Sequence, residues 1–153
     1  MRKSLWLGLF LVFLALGQGS SSYPEGYRFW THIKSMEIGP GHPLYEAFGG
    51  LHHIYANPQA LAGYLSDRRS FPDGSVIAFD LLEVRKEQGA TLEGPRKLVG
   101  VMVKNSSRYA RTGGWGFLAF GPNKAPLSID AQACFTCHQG AASSDYVFST
   151  YRP

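Results

Sequence analysis

Both cysteines of this chain fall in one five-residue stretch, Cys134-Phe135-Thr136-Cys137-His138, and a histidine follows the second directly. C-x-x-C-H is the attachment signature of c-type haem, in which two thiols add to porphyrin vinyl groups and the imidazole becomes an axial iron ligand. On a helix, residues three and four apart share a face, so Cys134, Cys137 and His138 can grip one haem edge and its iron together. The stretch therefore demands a C-terminal haem-attachment helix and a fold that covers a flat apolar cofactor.

Three plainer readings compete. A thioredoxin-like pair sits near a βαβ unit with more sheet to follow, and the 153-residue chain has only fifteen residues after His138. Structural zinc takes four ligands, usually with a second pair of cysteines; there is none, and His32, His42, His52 and His53 lie far upstream without ligand spacing. A disulfide across so short a loop would remove little entropy from the unfolded chain. One covalent haem c, with Cys134, Cys137 and His138 as its attachment set and His138 as the metal ligand, is the reading that uses every residue of the motif.

The chain starts with Met1-Arg2-Lys3, and residues 5–16 are almost wholly apolar, followed by small residues around Gly17 and Gly19. This is the layout of a secretory signal, expected to span residues 1–19 and to be cleaved. The apolar run falls short of the roughly twenty residues that a spanning helix needs. Export to the periplasm is the expected destination. Residues 20–153 then form one domain by size. Without Arg2 and Lys3 that domain carries 13 basic and 11 acidic residues, so charge makes no case for nucleic acid. Aromatic residues make up 14% and charged residues 17%, a balance that suits covering an apolar ring.

Residues 23–31 are mixed and aromatic, a helix or an extended arm. Residues 39–43, Gly-Pro-Gly-His-Pro, read as a loop. Residues 51–56 form a strand, after which Asn57-Pro58 reads as a helix cap followed by proline at the first helical position. That helix carries an apolar stripe of Ala60, Leu61, Tyr64 and Leu65. Residues 75–84 are the clearest strand, with Ile77, Phe79 and Leu81 on one face and Val76, Ala78, Asp80 and Leu82 on the other. A polar excursion over 85–95 leads to a second long strand over 96–104. A short helix over 108–111 and a last aromatic strand over 115–120 follow, and Ser128 is read as the cap of the haem helix, with Asp130 in its first turn. This order predicts an α+β fold: a mostly antiparallel β-sheet with short flanking helices and the haem-attachment helix at the C-terminus.

With these pieces in place the chain resembles the cytochrome P-460 family, which includes the cytochromes c'-beta. The resemblance rests on His52-His53-Ile54-Tyr55-Ala56-Asn57-Pro58, Phe71-Pro72-Asp73-Gly74-Ser75-Val76-Ile77, Gly114-Trp115-Gly116-Phe117 and the haem motif followed by Asp145-Tyr146-Val147-Phe148. It covers about residues 28–152. It implies a homodimer and a five-coordinate haem whose open face lies against the sheet. Cytochromes P-460 carry a lysine that cross-links to the porphyrin and supports hydroxylamine oxidation; Phe79 aligns there, and a phenyl ring has no nitrogen to form the bond. The c'-beta members instead cap the open face with two phenylalanines, which correspond here to Phe48 and Phe79.

A haem with His138 on one side and benzyl rings on the other offers no hydrogen-bond donor to its sixth ligand, which favours neutral NO or CO. Set against this, an aromatic on a buried strand is ordinarily core. His52 and His53 point to opposite strand faces, so at most one can reach the cofactor. Met36 and Met102 are possible sixth ligands but ordinarily core fillers. Asp80, turned away from Phe79, is expected in a hydrogen bond or salt bridge. Arg68, Arg69, Arg96 and Lys97 are either solvated or partners of the haem propionates. Two functional classes result: a module that binds NO or CO, and an oxidoreductase acting on hydroxylamine or NO or passing electrons to a partner cytochrome.

Overall fold

The computed structural model describes residues 22–153, so the expected signal over 1–19 lies outside the described residues. Five antiparallel strands run β1 (Thr31–Ile38), β2 (Gly50–Ala56), β3 (Val76–Glu87), β4 (Ala90–Lys104) and β5 (Trp115–Phe120), each paired with the next in sequence. Three helices accompany them: α1 (Tyr45–Phe48), α2 (Pro58–Leu65) and α3 (Ala131–His138). The expected α+β architecture, antiparallel sheet and C-terminal helix are all present. Among the described residues no helix is long and apolar enough to cross a membrane.

The polar excursion at 85–95 is itself strand. Both strands continue through it and turn at Gln88 and Gly89, whose φ values of 49° and 83° are the left-handed pair that a two-residue hairpin requires. Its residues are polar because the hairpin projects beyond the rest of the sheet and most of its side chains meet water. Strand β1 has no counterpart in the sequence reading. Its burial does not alternate, since the register shifts between His32 and Lys34 and both Ile33 and Ile38 turn inward; a bulge of this kind erases the period of two. The short helix near 108–111 is a single 3-10 turn, Ala110–Thr112.

Helix α2 begins as expected. Asn57 Oδ1 accepts from the Ala60 amide at 2.9 Å and Pro58 occupies the first turn. Its inward side is Ala60, Gly63 and Tyr64, while Leu65 is exposed. Gly63 cannot be replaced here, because a Cβ would sit 2.3 Å from the Phe71 ring.

The two faces of the sheet are covered differently. On one, Tyr27 packs with Ala78, Val99, Val101, Val103 and Phe120, and Tyr23, Trp30 and Tyr55 border them. Asp80 is fully buried on this face and accepts from Arg28 Nε at 2.8 Å and Arg96 Nε at 2.7 Å. Burial pushes its carboxyl up, but Arg96, the Tyr27 hydroxyl and Arg28 together outweigh that and hold its pKa below the usual range. On the other face α2, α3 and the C-terminal tail pack over Ile33, Ala56, Ile77, Trp115 and Phe117.

Candidate functional site

Helix α3 is capped by Asp130, not Ser128. Asp130 Oδ1 accepts from the Gln132 and Ala133 amides at 2.9 and 3.1 Å. A carboxylate both satisfies those amides and complements the positive end of the helix, which a hydroxyl does only in part. Phe135 docks the helix: it is buried and its ring lies 5.2 Å from that of Tyr146. This rotation leaves Cys134 half-buried, Cys137 exposed and His138 half-buried along one side. Both thiols are free. Burial pushes the Cys134 thiol up, and the charge of Asp130 adds to the effect.

His138 is held on three sides. Its Nδ1 lies 2.7 Å from the Tyr146 carbonyl oxygen, and since a carbonyl only accepts, Nδ1 carries the proton. The lone pair is therefore on Nε2, the arrangement a metal-binding imidazole adopts. The rings of Phe117 and Phe148 lie 5.1 and 5.2 Å away. Burial lowers the His138 pKa and the bond to Tyr146 opposes it, with a net fall that favours the neutral imidazole.

The sheet face beneath His138 is open in its middle. Along β3, Ile77, Ala78, Asp80 and Leu81 are buried, but Phe79 between them is only half-buried, and so are its direct neighbours Ile54 on β2 and Gly100 on β4. The next position in that row is Ala119 on β5, two residues from Phe117. A Cβ on Gly100 would rest 3.6 Å from the Phe79 ring, so the position has room that its residue leaves unused. Phe48, on the single turn α1, meets Phe79 edge-on with ring centroids 5.8 Å apart and planes at 78°.

Sequence reasoning placed His52 and His53 on opposite faces without choosing between them; the register puts His52 on the face of Phe79. Their rings are 4.5 Å apart and tilted by 32°. His52 is 4% exposed and its Nδ1 has no hydrogen-bond partner. Burial lowers its pKa to about 4, with the charges of His53 and Lys34 adding, so it is neutral at pH 7. No local pattern signals this, because the pairing of β2 with β3 decides it.

The other candidates have contacts of their own. Met102 packs against the core around Trp115 and Phe117, and Met36 is exposed on β1 opposite His52. Arg96 binds Asp80, and Lys97 Nζ donates to the Gly49 carbonyl at 2.6 Å. Arg69 donates to Ser144 Oγ at 3.3 Å and to the Val147 and Ser149 carbonyls, which ties the tail to the body. Among the described residues no three His, Cys, Asp or Glu side chains gather as a metal cluster. A single imidazole with a free Nε2 is what haem iron asks of a protein.

These residues fit a haem. Two thiols and the imidazole share one side of α3, and the row Ile54, Phe79, Gly100 and Ala119 gives the sheet face beyond it an apolar surface kept low at Gly100 and Ala119. The family model described as Cytochrome P460 matches residues 24–149, and no curated protein matches the chain. The match spans the sheet, the haem helix and most of the tail that holds His138. A haem cofactor is what this family implies, and the chain belongs to the cytochrome P460 family.

Proposed function

We propose that this chain is an exported mono-haem c-type cytochrome that binds NO or CO at a five-coordinate haem. The observation that carries the reading is the half-buried apolar row of Ile54, Phe79 and Gly100, on the sheet face that carries Phe117 beside His138. A soluble domain does not leave such a patch over a central strand unless something covers it. Covalent attachment at Cys134 and Cys137 would bring in an iron centre able to bind a small neutral ligand reversibly.

The chain's own residues do the rest. His138 Nε2 would hold the iron, oriented by the Tyr146 carbonyl. Phe79 and Phe48 present hydrocarbon edges, which exclude water and donate no hydrogen bond to a sixth ligand. His52 is stacked on Phe79 and stays neutral, so it adds no charge beside the ligand. With Phe79 in place of a lysine there is no amine to cross-link the porphyrin, which weighs against hydroxylamine oxidation. The basic and apolar leader supports a periplasmic location. The same reading expects a homodimer, with a partner cytochrome as its redox partner.

The test is an absorption spectrum of the ferrous protein, made in a host that matures c-type cytochromes, with and without NO and CO. The expected result is a chain mass increased by one haem, a high-spin ferrous spectrum, and a shift with each gas. Hydroxylamine with an electron acceptor should give no turnover. A low-spin spectrum unmoved by either gas would identify an electron carrier instead, and a bare-chain mass would end the haem reading.

A further inference from the structure

The carbonyl that meets His138 belongs to an unusual turn. Asp145 and Tyr146 have φ values of 51° and 65°, two consecutive residues with side chains in the left-handed region. Asp tolerates it moderately, a bulky ring poorly. Such a turn persists only where its surroundings over-determine it.

Here the surroundings converge on Asp145. Lys104 Nζ, from the end of β4, donates to Oδ1 at 2.7 Å, and the Phe71 amide donates to Oδ2 at 2.9 Å. Trp115 Nε1, from the start of β5, donates to the Asp145 carbonyl at 2.8 Å. The Lys104 ammonium also lies 5.0 Å over the Trp115 ring and donates to the Gly113 carbonyl at 3.1 Å. Gly113 leaves room for the next residue, since a Cβ there would stand 2.4 Å from the Tyr146 ring. Lys104 and Asp145 form a largely buried ion pair, which is costly to desolvate and weak as a stabiliser by itself. What the pair supplies is direction: with each carboxylate oxygen engaged from a different element, the turn cannot rotate, and the Tyr146 carbonyl stays aimed at His138 Nδ1.

We propose that Asp145, clamped by Lys104, Trp115 and the Phe71 amide, is a positioning residue that fixes the Tyr146 carbonyl on His138 and so sets the donor strength of the imidazole toward haem iron. The proposal rests on the haem reading above. A strong bond from Nδ1 gives the ring more anionic character and favours ferric iron; loosening the clamp weakens that bond and raises the reduction potential.

The experiment uses the haem-loaded full chain, its mass first confirming one haem. Asp145→Gly keeps a residue at ease with the left-handed backbone but removes both carboxylate contacts. Lys104→Met removes one contact and leaves the turn residue in place, and it carries the test should Asp145→Gly not accumulate. Asp80→Ala, on the opposite sheet face, serves as a variant that lowers stability alone. The readouts are the iron–histidine stretch in the ferrous resonance Raman spectrum and the midpoint potential. Both clamp variants should lower the stretch and shift the ferric-to-ferrous ratio at fixed poise roughly tenfold, about 59 mV for one electron, while Asp80→Ala changes the melting temperature only. Clamp variants with wild-type stretch and potential overturn the proposal whatever their melting temperatures. A wild-type chain without haem overturns the reading beneath it instead, and the mass shows this before any variant is compared.

Discussion

On one face of the sheet Val99, Val101 and Val103 of β4 are at most 3% exposed; on the other, Leu98, Gly100 and Met102 of the same strand all remain partly exposed. The sealed face is finished by the protein itself. Its N-terminal aromatics cover the valines, and the one buried charge, Asp80, is matched by two arginines. The face toward His138 is covered at one end by α2, α3 and the tail and is buried again at Leu81 and His52, with Phe79 and Gly100 left half-buried between. Comparing the two separates residues that hold the fold from residues that wait on a cofactor. A stability defect with an unchanged haem spectrum belongs to the first face, and the reverse to the second.

The largest effect expected tests the open face. His138→Ala removes the one imidazole placed for iron, and the mature protein should lose its ferrous axial-histidine signature in resonance Raman. If that signature survives, another side chain holds the iron.

Next in size is Asp80→Ala on the sealed face. It leaves two guanidiniums without their carboxylate, which for a fully buried pair costs about 3–5 kcal/mol; because Arg28 and Arg96 both reach solvent, about 2 kcal/mol is expected. Denaturant unfolding measures this, and the ligand-binding spectrum should stay as it is. A changed spectrum would mean that the two faces are not independent.

His52 makes the comparison sensitive to pH. Its folded pKa of about 4 lies below the ordinary 6.5, so between these values the unfolded chain binds more protons and stability rises with pH. The contribution is complete above the unfolded value and is lost as pH falls toward the folded one, amounting to about 2 kcal/mol between pH 7 and pH 5. His52→Leu should flatten that acid limb in unfolding titrations. An unchanged limb would move the titration to another group.

The smallest effect is expected at Gly100. An added methyl meets Phe79 at ordinary contact distance, and relief of glycine entropy in a strand should stabilise Gly100→Ala by about 0.5 kcal/mol. The same methyl takes up room beside Phe79, so CO association in flash photolysis should slow. A variant that is more stable and equally fast would place the ligand path elsewhere.

The sequence made the haem helix legible because its chemistry is local: two thiols and an imidazole at helical spacing carry their meaning without the rest of the chain. It also showed β3, the upper part of β4, β5 and the start of α2, where alternation or a cap is written in neighbouring residues. It missed β1, whose bulge breaks the alternation, and it left the β3–β4 hairpin over 85–95 as a polar excursion without strands, because a strand that projects into water loses its apolar period. It could not choose between His52 and His53, or show that Asp145 presents the Tyr146 carbonyl to His138. Those facts depend on which strands pair, in what register, and on contacts from Lys104, Phe71 and Trp115 that lie 30 or more residues from Asp145. Local spacing thus determined what is attached and where. Long-range packing alone decided which sheet face stays open to the cofactor and how firmly its histidine is aimed, since both are properties of segments that meet only in the folded chain.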